Sequence, residues 1–403
     1  MTNGWEIKRL GDACDLQNGF AFKSELFKPK GIPVLRISSI QDEQVCDNRP
    51  VFANPSDYAE NLQKYFVNEG DLLIAMSGAT TGKVGFNRTG RQFLLNQRVG
   101  KFQPPPQLDI NYLFYFLSTK VEENLKISAG SAQPNLSTKQ INDFLIPLPP
   151  LPEQKRIVAI LDGAFAGIAA ATANAEKNLA NARELFDLSL EAIFTKEGNG
   201  WVQRPFSDIC EITSKLVDPR EPRFIDLPHL GAGNMVSKTG ELIEIKTARE
   251  EELKSGKFLF DESMVLYSKI RPYLMKACRP DFSGLCSADV YPLFPKPALL
   301  NRNFLFYLLL SRKFTEFAIG GSDRAGMPKV NRDHLFSYKA WLPDVKEQRL
   351  LASKLDEISS ETNRIELIYQ RKISALAELK QAILQKAFSG ELTGIKTRHC
   401  EAA

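Results

Sequence analysis

A stripe of apolar and small residues with a seven-residue period occurs twice along this chain, over residues 153–194 and again over residues 347–388. Within each stripe the apolar positions alternate at intervals of four and three, which is typical of a coiled-coil seam. The pattern predicts two long helices that pack against one another. Lys372 interrupts the second stripe, which we expect to continue at Leu379. The principal seam residues are Leu161, Phe165, Ile168, Leu179, Phe186, Leu355, Ile358, Ile365, Leu376 and Ile383.

Both stripes begin and end in the same way. Each follows a Leu-Pro pair, at 148–149 and 342–343, and each opens on a Glu-Gln pair, at 153–154 and 347–348. Proline disfavours helix at the residue before it, and a glycine after each stripe can adopt the left-handed cap conformation. About 40 helical residues at 1.5 Å each give a length of roughly 60 Å. The matched ends and the seven-residue spacing favour paired long helices over two core helices of one large globule.

The rest of the chain is also duplicated, at an offset of about 194 residues, which indicates a domain duplication rather than a solenoid. Residues 112–117 (YLFYFL), for example, are echoed by residues 304–309 (FLFYLL). The order is therefore globular module, helix, globular module, helix. The predicted segments are a first module at 1–146, a spacer helix at 147–198, a second module at 199–340, a second spacer helix at 341–394 and a tail at 395–403.

Each module shows short strands separated by turn residues, with one short helix. We predict strands at 32–40, 71–76, 93–102, 258–260, 264–267 and 290–294, and helices at 111–121 and 302–317. The fold class is therefore α+β: two duplicated mixed domains separated by two long antiparallel coiled-coil helices, with pseudo-two-fold symmetry. The strand patterns of the modules match while their loops differ, so we expect the modules to perform one task on different targets.

Composition excludes several classes of protein. The chain has 403 residues, with 43% hydrophobic and 25% charged residues, as is usual for a globular protein of more than one domain. We find no signal peptide and no apolar run near the ~18 residues of a membrane span, so we expect a cytoplasmic protein without a membrane partner. Six cysteines without metal-binding spacing and only three histidines predict reduced thiols and no metal site. A net charge of +4 is compatible with nucleic acid.

One segment resembles a phosphate-binding loop but departs from that motif. The motif has four residues between its glycines and Ser or Thr after its lysine. In residues 78–83 (GATTGK), three residues separate Gly78 from Gly82, and Val84 follows the lysine. A nucleotide site is therefore disfavoured. Two interpretations remain, a glycine turn beside a strand or a loop that presents its threonines and lysine to DNA.

A catalytic role for this chain is also disfavoured. Residues 54–58 (NPSDY) lack the second proline of the NPPY loop of adenine methyltransferases, and no FxGxG cofactor loop occurs. An Asx-Pro turn explains that segment. We predict no catalytic residue and no cofactor.

An ordered set of short motifs runs through both halves of the chain. These motifs are residues 16–23 (LQNGFAFK), 31–37 (GIPVLRI), 70–73 (GDLL), 77–83 (SGATTGK), 147–154 (PLPPLPEQ), 268–273 (SKIRPY) and 387–392 (AFSGEL). Each alone is weak, but in this order, duplicated over nearly the whole chain, they resemble the specificity (S) subunit of type I restriction–modification systems. The second helix start, residues 341–348 (WLPDVKEQ), departs from the proline-rich form of the first.

That resemblance implies a non-catalytic reader of double-stranded DNA. Two target-recognition domains would each bind one half of a bipartite site. The helices would separate them and dock two modification (methyltransferase) subunits, and restriction subunits would join through the assembled complex. Independently, directly repeated modules joined by antiparallel helices acquire a pseudo-two-fold axis, which suits the two-fold axes of a duplex. A helix of roughly 60 Å spans about 17 base pairs, so helix length should set the gap between half-sites.

Basic, hydroxyl and amide side chains in the module loops are the candidates for DNA contact, because Arg and Lys pair with guanine or phosphate and Asn or Gln with adenine. The candidates in the first module are Lys23, Arg36, Ser77, Thr80, Lys83, Gln97, Arg98, Gln133 and Asn135. Those in the second are Lys215, Arg220, Arg223, Lys269, Arg271, Tyr273, Lys276, Arg324 and Lys329. A solvated surface charge is the alternative for each one. Arg271 and Lys83 are the best supported, because the resemblance and a proline- or glycine-marked loop coincide there.

The competing interpretation is a protein-interaction scaffold, such as a regulatory paralogue of these subunits that no longer binds DNA. Salt dependence separates the two, because a protein that neutralises several phosphates loses DNA affinity steeply as the salt concentration rises. The sequence does not identify the bases that are recognised.

Overall fold

A computed structural model describes residues 5–46, 50–120, 135–196, 200–213, 215–322 and 328–394. The chain forms two compact units. The first unit comprises Met1–Asn174 and Lys372–Ala403, and the second unit comprises Ala175–Arg371. Each unit therefore contains one module together with a part of each long helix.

The two long helices extend over Leu151–Phe194 and Val345–Ser389. Both begin two residues before the predicted start, just after the Leu-Pro pairs. The first turn of the second helix is capped by Asp344, whose Oδ1 accepts a hydrogen bond from the Glu347 amide at 2.8 Å. The second helix ends before Gly390, which has a φ of +81°.

The predicted seam residues lie on the sheltered side of both helices. Leu161 and Leu355 are fully buried, and the other eight are half-buried. In the second unit the helices run antiparallel, because Asn178 contacts Tyr369 whereas Arg183, further along, contacts the earlier Glu366.

The expectation that the stripe continues at Leu379 is wrong, since this side chain is 47% exposed. The buried side of the helix instead includes Lys380, whose ammonium lies 5.2 Å from the centre of the Phe165 ring, and the fully buried Ala387. Near the exposed Lys372 the spacing of the buried positions is one residue longer than the seven-residue repeat requires. The seam after this point is therefore shifted by one residue.

The described part of the first module contains two larger sheets and one two-stranded sheet. In spatial order, the six-stranded sheet comprises Asp15–Asn18, Val99–Gln103, Leu72–Ala75, Val84–Phe86, Gln44–Val45 and Ile40–Gln41. The four-stranded sheet comprises Val51–Ala53, Ile32–Leu35, Phe93–Leu95 and Phe66–Val67. Glu6–Arg9 pairs antiparallel with Leu145–Leu148, the strand that leads into the first long helix. The helices are Leu10–Ala13, Ile110–Thr119 and Thr138–Asn142.

The second module repeats this plan over its described residues. Its five-stranded sheet comprises Leu216–Val217, Lys257–Phe260, Gly284–Cys286, Pro228–Leu230 and Lys246–Thr247. Its four-stranded sheet comprises Cys210–Glu211, Val290–Pro295, Val265–Ser268 and Ala277–Cys278. Val202–Pro205 pairs antiparallel with Lys339–Leu342. The helices are Phe206–Ile209, Arg302–Leu310, Arg312–Gly320 and Arg332–Ser337. The predicted module limits at 146 and 340 lie inside the two strands that lead into the long helices.

Three predicted elements are divided in the structure. The strand at 32–40 is interrupted at Ile37–Ser39 by a 3₁₀ turn, which the Ser39 hydroxyl closes by accepting from the Arg36 amide. The strand at 93–102 is two strands in different sheets, because a bridge between Asn96 and Phe20 diverts the chain. The helix at 302–317 breaks at Ser311, whose hydroxyl caps the following helix.

A buried helix in each module packs against the long helices; we call Ile110–Thr119 and Arg302–Leu310 the module helices. In the first unit, the ring of Tyr112 lies 5.1 Å from that of Phe388 near the end of the second long helix. In the second unit, the ring of Phe304 lies 5.0 Å from that of Phe194 near the end of the first long helix. The core of each unit is thus shared between its module and the helices.

The first long helix corrects one expectation drawn from composition. It contains an 18-residue window with a mean hydropathy of 1.6, of which 22% is buried, so by length and composition alone it is apolar enough to cross a membrane. The expectation that no apolar run approaches this length was therefore wrong. An alanine-rich coiled-coil seam also gives a helix a high mean hydropathy. One such helix is therefore weak support for a membrane span.

Candidate nucleic-acid interface

In the first module, a loop after the buried strand Leu72–Ala75 gathers several of the predicted contact residues. The loop contains a 3₁₀ turn, Gly78–Thr80, which begins at a φ of +75° that favours glycine. Ser77 forms an antiparallel bridge with Asn135 and accepts a hydrogen bond from Arg98 Nη1 at 3.4 Å. Ser77 is itself buried, whereas Arg98 and Asn135 are exposed. The serine therefore supports the loop, and the arginine and asparagine face solvent.

Other predicted residues lie beside this loop. Thr80 donates its hydroxyl proton to the Ile37 carbonyl at 3.0 Å, which holds the segment after Arg36 against the loop. The Gln97 amide donates to the Phe20 carbonyl at 2.9 Å, which holds the segment before Lys23. We call Lys23, Arg36, Ser77, Thr80, Gln97, Arg98 and Asn135 the first loop cluster.

A glycine makes the close packing within the first loop cluster possible. A Cβ on Gly19 would lie 2.0 Å from the Asn96 carbonyl oxygen, far inside van der Waals contact. Any other residue at this position would push the segment that carries Lys23 away from the segment that carries Gln97.

Lys83 is placed elsewhere, although its sequence support was among the best. It is exposed and lines a cavity of about 310 Å³ with Asp42, Glu43 and, from the second long helix, Lys380. The Lys380 ammonium lies 3.2 Å from Glu43 Oε1. Gln133 lies outside the described residues.

The second module has a corresponding loop after the buried strand Val265–Ser268. A 3₁₀ turn, Pro272–Leu274, is flanked by Arg271 and Met275, which both adopt left-handed backbone conformations with φ of 48° and 50°. Ile270 forms an antiparallel bridge with Lys329, and the Arg271 amide donates to the Pro328 carbonyl at 2.9 Å. Arg271 is exposed, and Tyr273 at the tip of the turn is 53% exposed.

One carboxylate brings two lysines of this loop together. Asp289 Oδ1 lies 2.8 Å from the Lys329 ammonium and 3.6 Å from that of Lys269. The hydrogen bond from Lys329 lowers the pKa of Asp289, so the carboxylate is charged at neutral pH. Burial, followed by the proximity of Lys329, lowers the pKa of Lys269. We call Lys269, Arg271, Tyr273 and Lys329 the second loop cluster; with Asp289 included it keeps an excess of positive charge.

The remaining candidates of the second module are placed differently. Lys276 is half-buried and donates to the Ala232 carbonyl at 2.7 Å, which is a structural role. Arg220 pairs with Asp218 at 2.7 Å and Arg223 with Glu221 at 2.9 Å, in an exposed segment between strands. Lys215, also exposed, precedes that segment. Arg324 lies outside the described residues.

The two loop clusters share one construction. In each, a buried strand ends in a 3₁₀ turn that is held by an antiparallel bridge to a segment about 60 residues later in the chain. The sequence carried no signal for these bridges. Each arrangement presents guanidinium, ammonium, amide and aromatic groups to solvent from a rigid loop. Such groups suit contact with DNA phosphates and with the edges of base pairs.

No group of three or more His, Cys, Asp or Glu side chains that could hold a metal ion occurs within the described residues. Five of the six cysteines belong to that part of the chain, and all five are free thiols. Burial raises the pKa of Cys14 and of Cys278 to about 12, which keeps both protonated and unreactive at neutral pH.

Fold and site together define a class of duplicated proteins in which two modules of one α+β plan carry loop clusters and share two long antiparallel helices. The profile of the type I restriction modification DNA specificity domain matches residues 2–179 and 198–374. Since these matches span most of the 403 residues, the chain belongs to the type I restriction–modification DNA specificity family.

Two individual relatives are similar over most of their length. The type I restriction enzyme EcoDI specificity subunit of Escherichia coli is 26% identical over 388 residues, covering 86% of this chain and 83% of that protein. The EcoBI specificity subunit of Escherichia coli is 23% identical over 431 residues, covering 98% and 87%.

Two solved structures show the same fold. A chain from a structure describing complex assembly and conformational transition of the type I R-M system matches with a TM-score of 0.77 at 19% identity, covering 97% of this chain and 99% of that one. The HsdS subunit from Thermoanaerobacter tengcongensis matches with a TM-score of 0.60 at 18% identity, covering 97% and 98%.

Proposed function

We propose that this chain is the DNA-binding specificity subunit of a type I restriction–modification complex, with each module reading one half of a bipartite target. The observation that carries the proposal is the pair of loop clusters, built alike on two modules but differing in their exposed side chains. A shared construction provides the same approach to a duplex, and different side chains select different bases.

Residues 1–146 and 199–340 are the target-recognition domains under this proposal. The two long helices, of 44 and 45 residues, set the gap between half-sites. Their exposed flanks dock two modification subunits, and restriction subunits join through the assembled complex. Catalysis belongs to those partners, and the complex acts in the cytoplasm. Family membership, together with the specificity subunits named above, supports this assignment.

Within each loop cluster the side chains have separate tasks. Lysine side chains such as Lys23 and Lys329 contact phosphates and set affinity. Arg98, Asn135 and Arg271 are the candidates for base contact, since bidentate guanidinium and amide groups discriminate base pairs in the major groove.

The test is selection from a randomised duplex library by this chain assembled with its modification subunits. We expect enrichment of two short fixed blocks around a constant unspecified gap. Affinity for the selected site should fall steeply with salt, as expected when several phosphates are neutralised. Enrichment of only one block would show that a single module reads DNA. No enrichment, with salt-insensitive binding or none, would overturn the proposal and leave a scaffold or regulatory paralogue.

A further inference from the structure

A buried glutamine ties the first long helix to the first module. Gln154 is 1% exposed, although it lies in the first turn of a long surface helix. Its Oε1 accepts a hydrogen bond from the Asp109 amide at 2.8 Å. Its Nε2 donates to the Pro149 carbonyl at 2.9 Å and to the Gln107 carbonyl at 3.1 Å. Asp109 also caps the module helix, so the glutamine connects the starts of two helices.

The second unit repeats this connection bond for bond. Gln348 is fully buried, and its Oε1 accepts from the Asn301 amide at 2.8 Å. Its Nε2 donates to the Pro343 and Leu299 carbonyls, both at 2.9 Å. Asn301 in turn caps the second module helix. The hydrogen-bond geometry of the glutamine is the same in both units, although the sequence before the second long helix departs from the sequence before the first.

A second contact lies two turns further along each long helix. In the first unit the Tyr115 hydroxyl donates to Asp162 Oδ1 at 2.5 Å. In the second unit the Tyr307 hydroxyl donates to Asp356 Oδ1 at 2.7 Å, and Arg279 also pairs with that carboxylate. Burial raises the pKa of both tyrosines, so each hydroxyl remains a donor. Each module helix is thus attached to a long helix at two points.

The glutamine bonds are directional, unlike the apolar contacts around them. Each amide uses both donors and one acceptor, and rotation of the module helix against the long helix would leave buried backbone groups without partners. An unsatisfied buried group costs about 1–3 kcal/mol. Fully satisfied polar networks of this kind fix one arrangement.

We propose that Gln154 and Gln348 are positioning residues that set the gap of the recognised DNA, by fixing the orientation of each module on the long helices. Neither residue contacts DNA. A duplex with a gap one base pair too long or too short can then bind only if one of these attachments is strained or broken. This inference rests on the proposed function, since a gap exists only if both modules read DNA.

The experiment compares single variants of the full chain, assembled with its modification subunits. Gln154→Met and Gln348→Met keep the side-chain volume and remove all three bonds. Tyr115→Phe and Tyr307→Phe are milder, because each removes one hydroxyl. Gln203→Met, at an exposed position of the strand Val202–Pro205, is the matched control. Affinity is measured for duplexes with identical half-sites at the preferred gap and at gaps one base pair shorter and longer.

The readout is the affinity ratio between the preferred and the altered gaps. We expect the glutamine variants to reduce this ratio about fivefold or more, on the scale of one or two net hydrogen bonds. Preferences within each half-site should not change, and Gln203→Met should keep the wild-type ratio. If a glutamine variant fails to assemble, the tyrosine variants decide, with a smaller reduction expected.

Failures of the two proposals are distinguishable. If the wild-type complex prefers one gap and the glutamine variants weaken binding equally at all gaps, then the glutamines only stabilise the fold. That result would overturn the inference. A wild-type complex that selects no gap would overturn the proposed function, and the inference with it.

Discussion

Arg271 combines an unfavourable backbone with an exposed side chain. Its φ of 48° and ψ of 62° place a long-chain residue in the left-handed region, which costs roughly 1 kcal/mol relative to glycine. The bridge between Ile270 and Lys329 holds the loop in this conformation. A strained, non-glycine residue in an exposed loop of a candidate interface points to a role of its side chain.

Replacing Arg271 by glycine should separate that role from stability. Glycine accepts the backbone conformation, so we expect folding to be unimpaired. Binding to the selected target should weaken by about 1–3 kcal/mol, and sequence preference should relax only in the half-site read by the second module. Lys339→Ala, at an exposed position of the strand Lys339–Leu342, is the control for loss of charge. Equal weakening on every DNA sequence would instead identify Arg271 as a phosphate contact.

His229 provides a pH-dependent contribution to stability in the second module. Its Nδ1 lies 2.8 Å from Glu251 Oε2, and its Nε2 is buried without a hydrogen-bond partner among the described residues. Burial lowers the pKa of His229 despite the opposing effect of Glu251, and nearby Lys257 lowers it further. The folded protein therefore binds this proton less readily than the unfolded chain, whose histidine pKa is near 6.5.

Stability should accordingly fall as the pH drops below about 6.5, because the unfolded chain takes up the proton first. The His229→Gln variant cannot titrate at this position. We expect its melting temperature to decrease less than that of the wild type between about pH 7.5 and about pH 5.5. Parallel decreases in both proteins would show that other groups control this range.

At the scale of elements, the long helices could be predicted within two residues, and four of the six predicted strands within one. The predicted strands at 32–40 and 93–102 are instead divided in the structure. A long helix repeats its hydrophobic pattern many times and is bounded by prolines and a glycine. Tertiary contacts therefore change the positions of its ends little. The strands at 93–102 and 32–40 depend on where distant segments pair, as with Phe20 and Asn96. The loop clusters are unpredictable for the same reason, since Ser77 meets Asn135 only through the tertiary fold.

The buried glutamines carry a sequence signal beyond the one that marks the helix starts. Gln154 precedes Ile157, Val158 and Leu161 at helical spacing, so it lies on the apolar stripe of its helix. Gln348 occupies the equivalent position in the second copy. A polar residue on an apolar stripe in both copies predicts a buried side chain with specific partners. The identity of those partners again depends on the fold.

The seam of the long helices uses small residues where a larger side chain would not fit. Ala175 is 1% exposed, whereas Ala180, five residues later, is exposed. We expect Ala175→Leu to destabilise the protein by about 1–3 kcal/mol through overpacking. Ala180→Leu should change stability by no more than about 0.5 kcal/mol. Thermal unfolding of both variants tests this, and equal effects would argue against close packing at Ala175.

At the scale of the whole molecule, duplication was the most reliable prediction, because it depends on the order of many weak similarities along the chain. The same order predicted the family, whereas the α+β class was predicted from the strand and helix patterns inside each module. The side chains that face solvent in each loop cluster are where the two copies differ, and a repeat does not predict what differs between its copies.

Changing the length of the helices tests the proposed origin of the gap. Asn178 pairs with Tyr369, so an insertion after Ala175 is matched by one after Arg371 in the antiparallel helix. Duplicating residues 176–182 and 365–371 at these points adds one seven-residue repeat to each helix and keeps the seam in register. Seven residues at 1.5 Å lengthen the pair by roughly 10 Å, the rise of about three base pairs.

The selected target should then keep both half-sites and gain about three base pairs between them, since the modules themselves are unchanged. Library selection with wild-type and lengthened complexes measures this directly. Duplication in only one helix is the control, because it mismatches the seam and should lower the melting temperature without defining a new gap. If the doubly lengthened complex bound the original gap unchanged, the separation of half-sites would have to originate outside these helices, in the partner subunits.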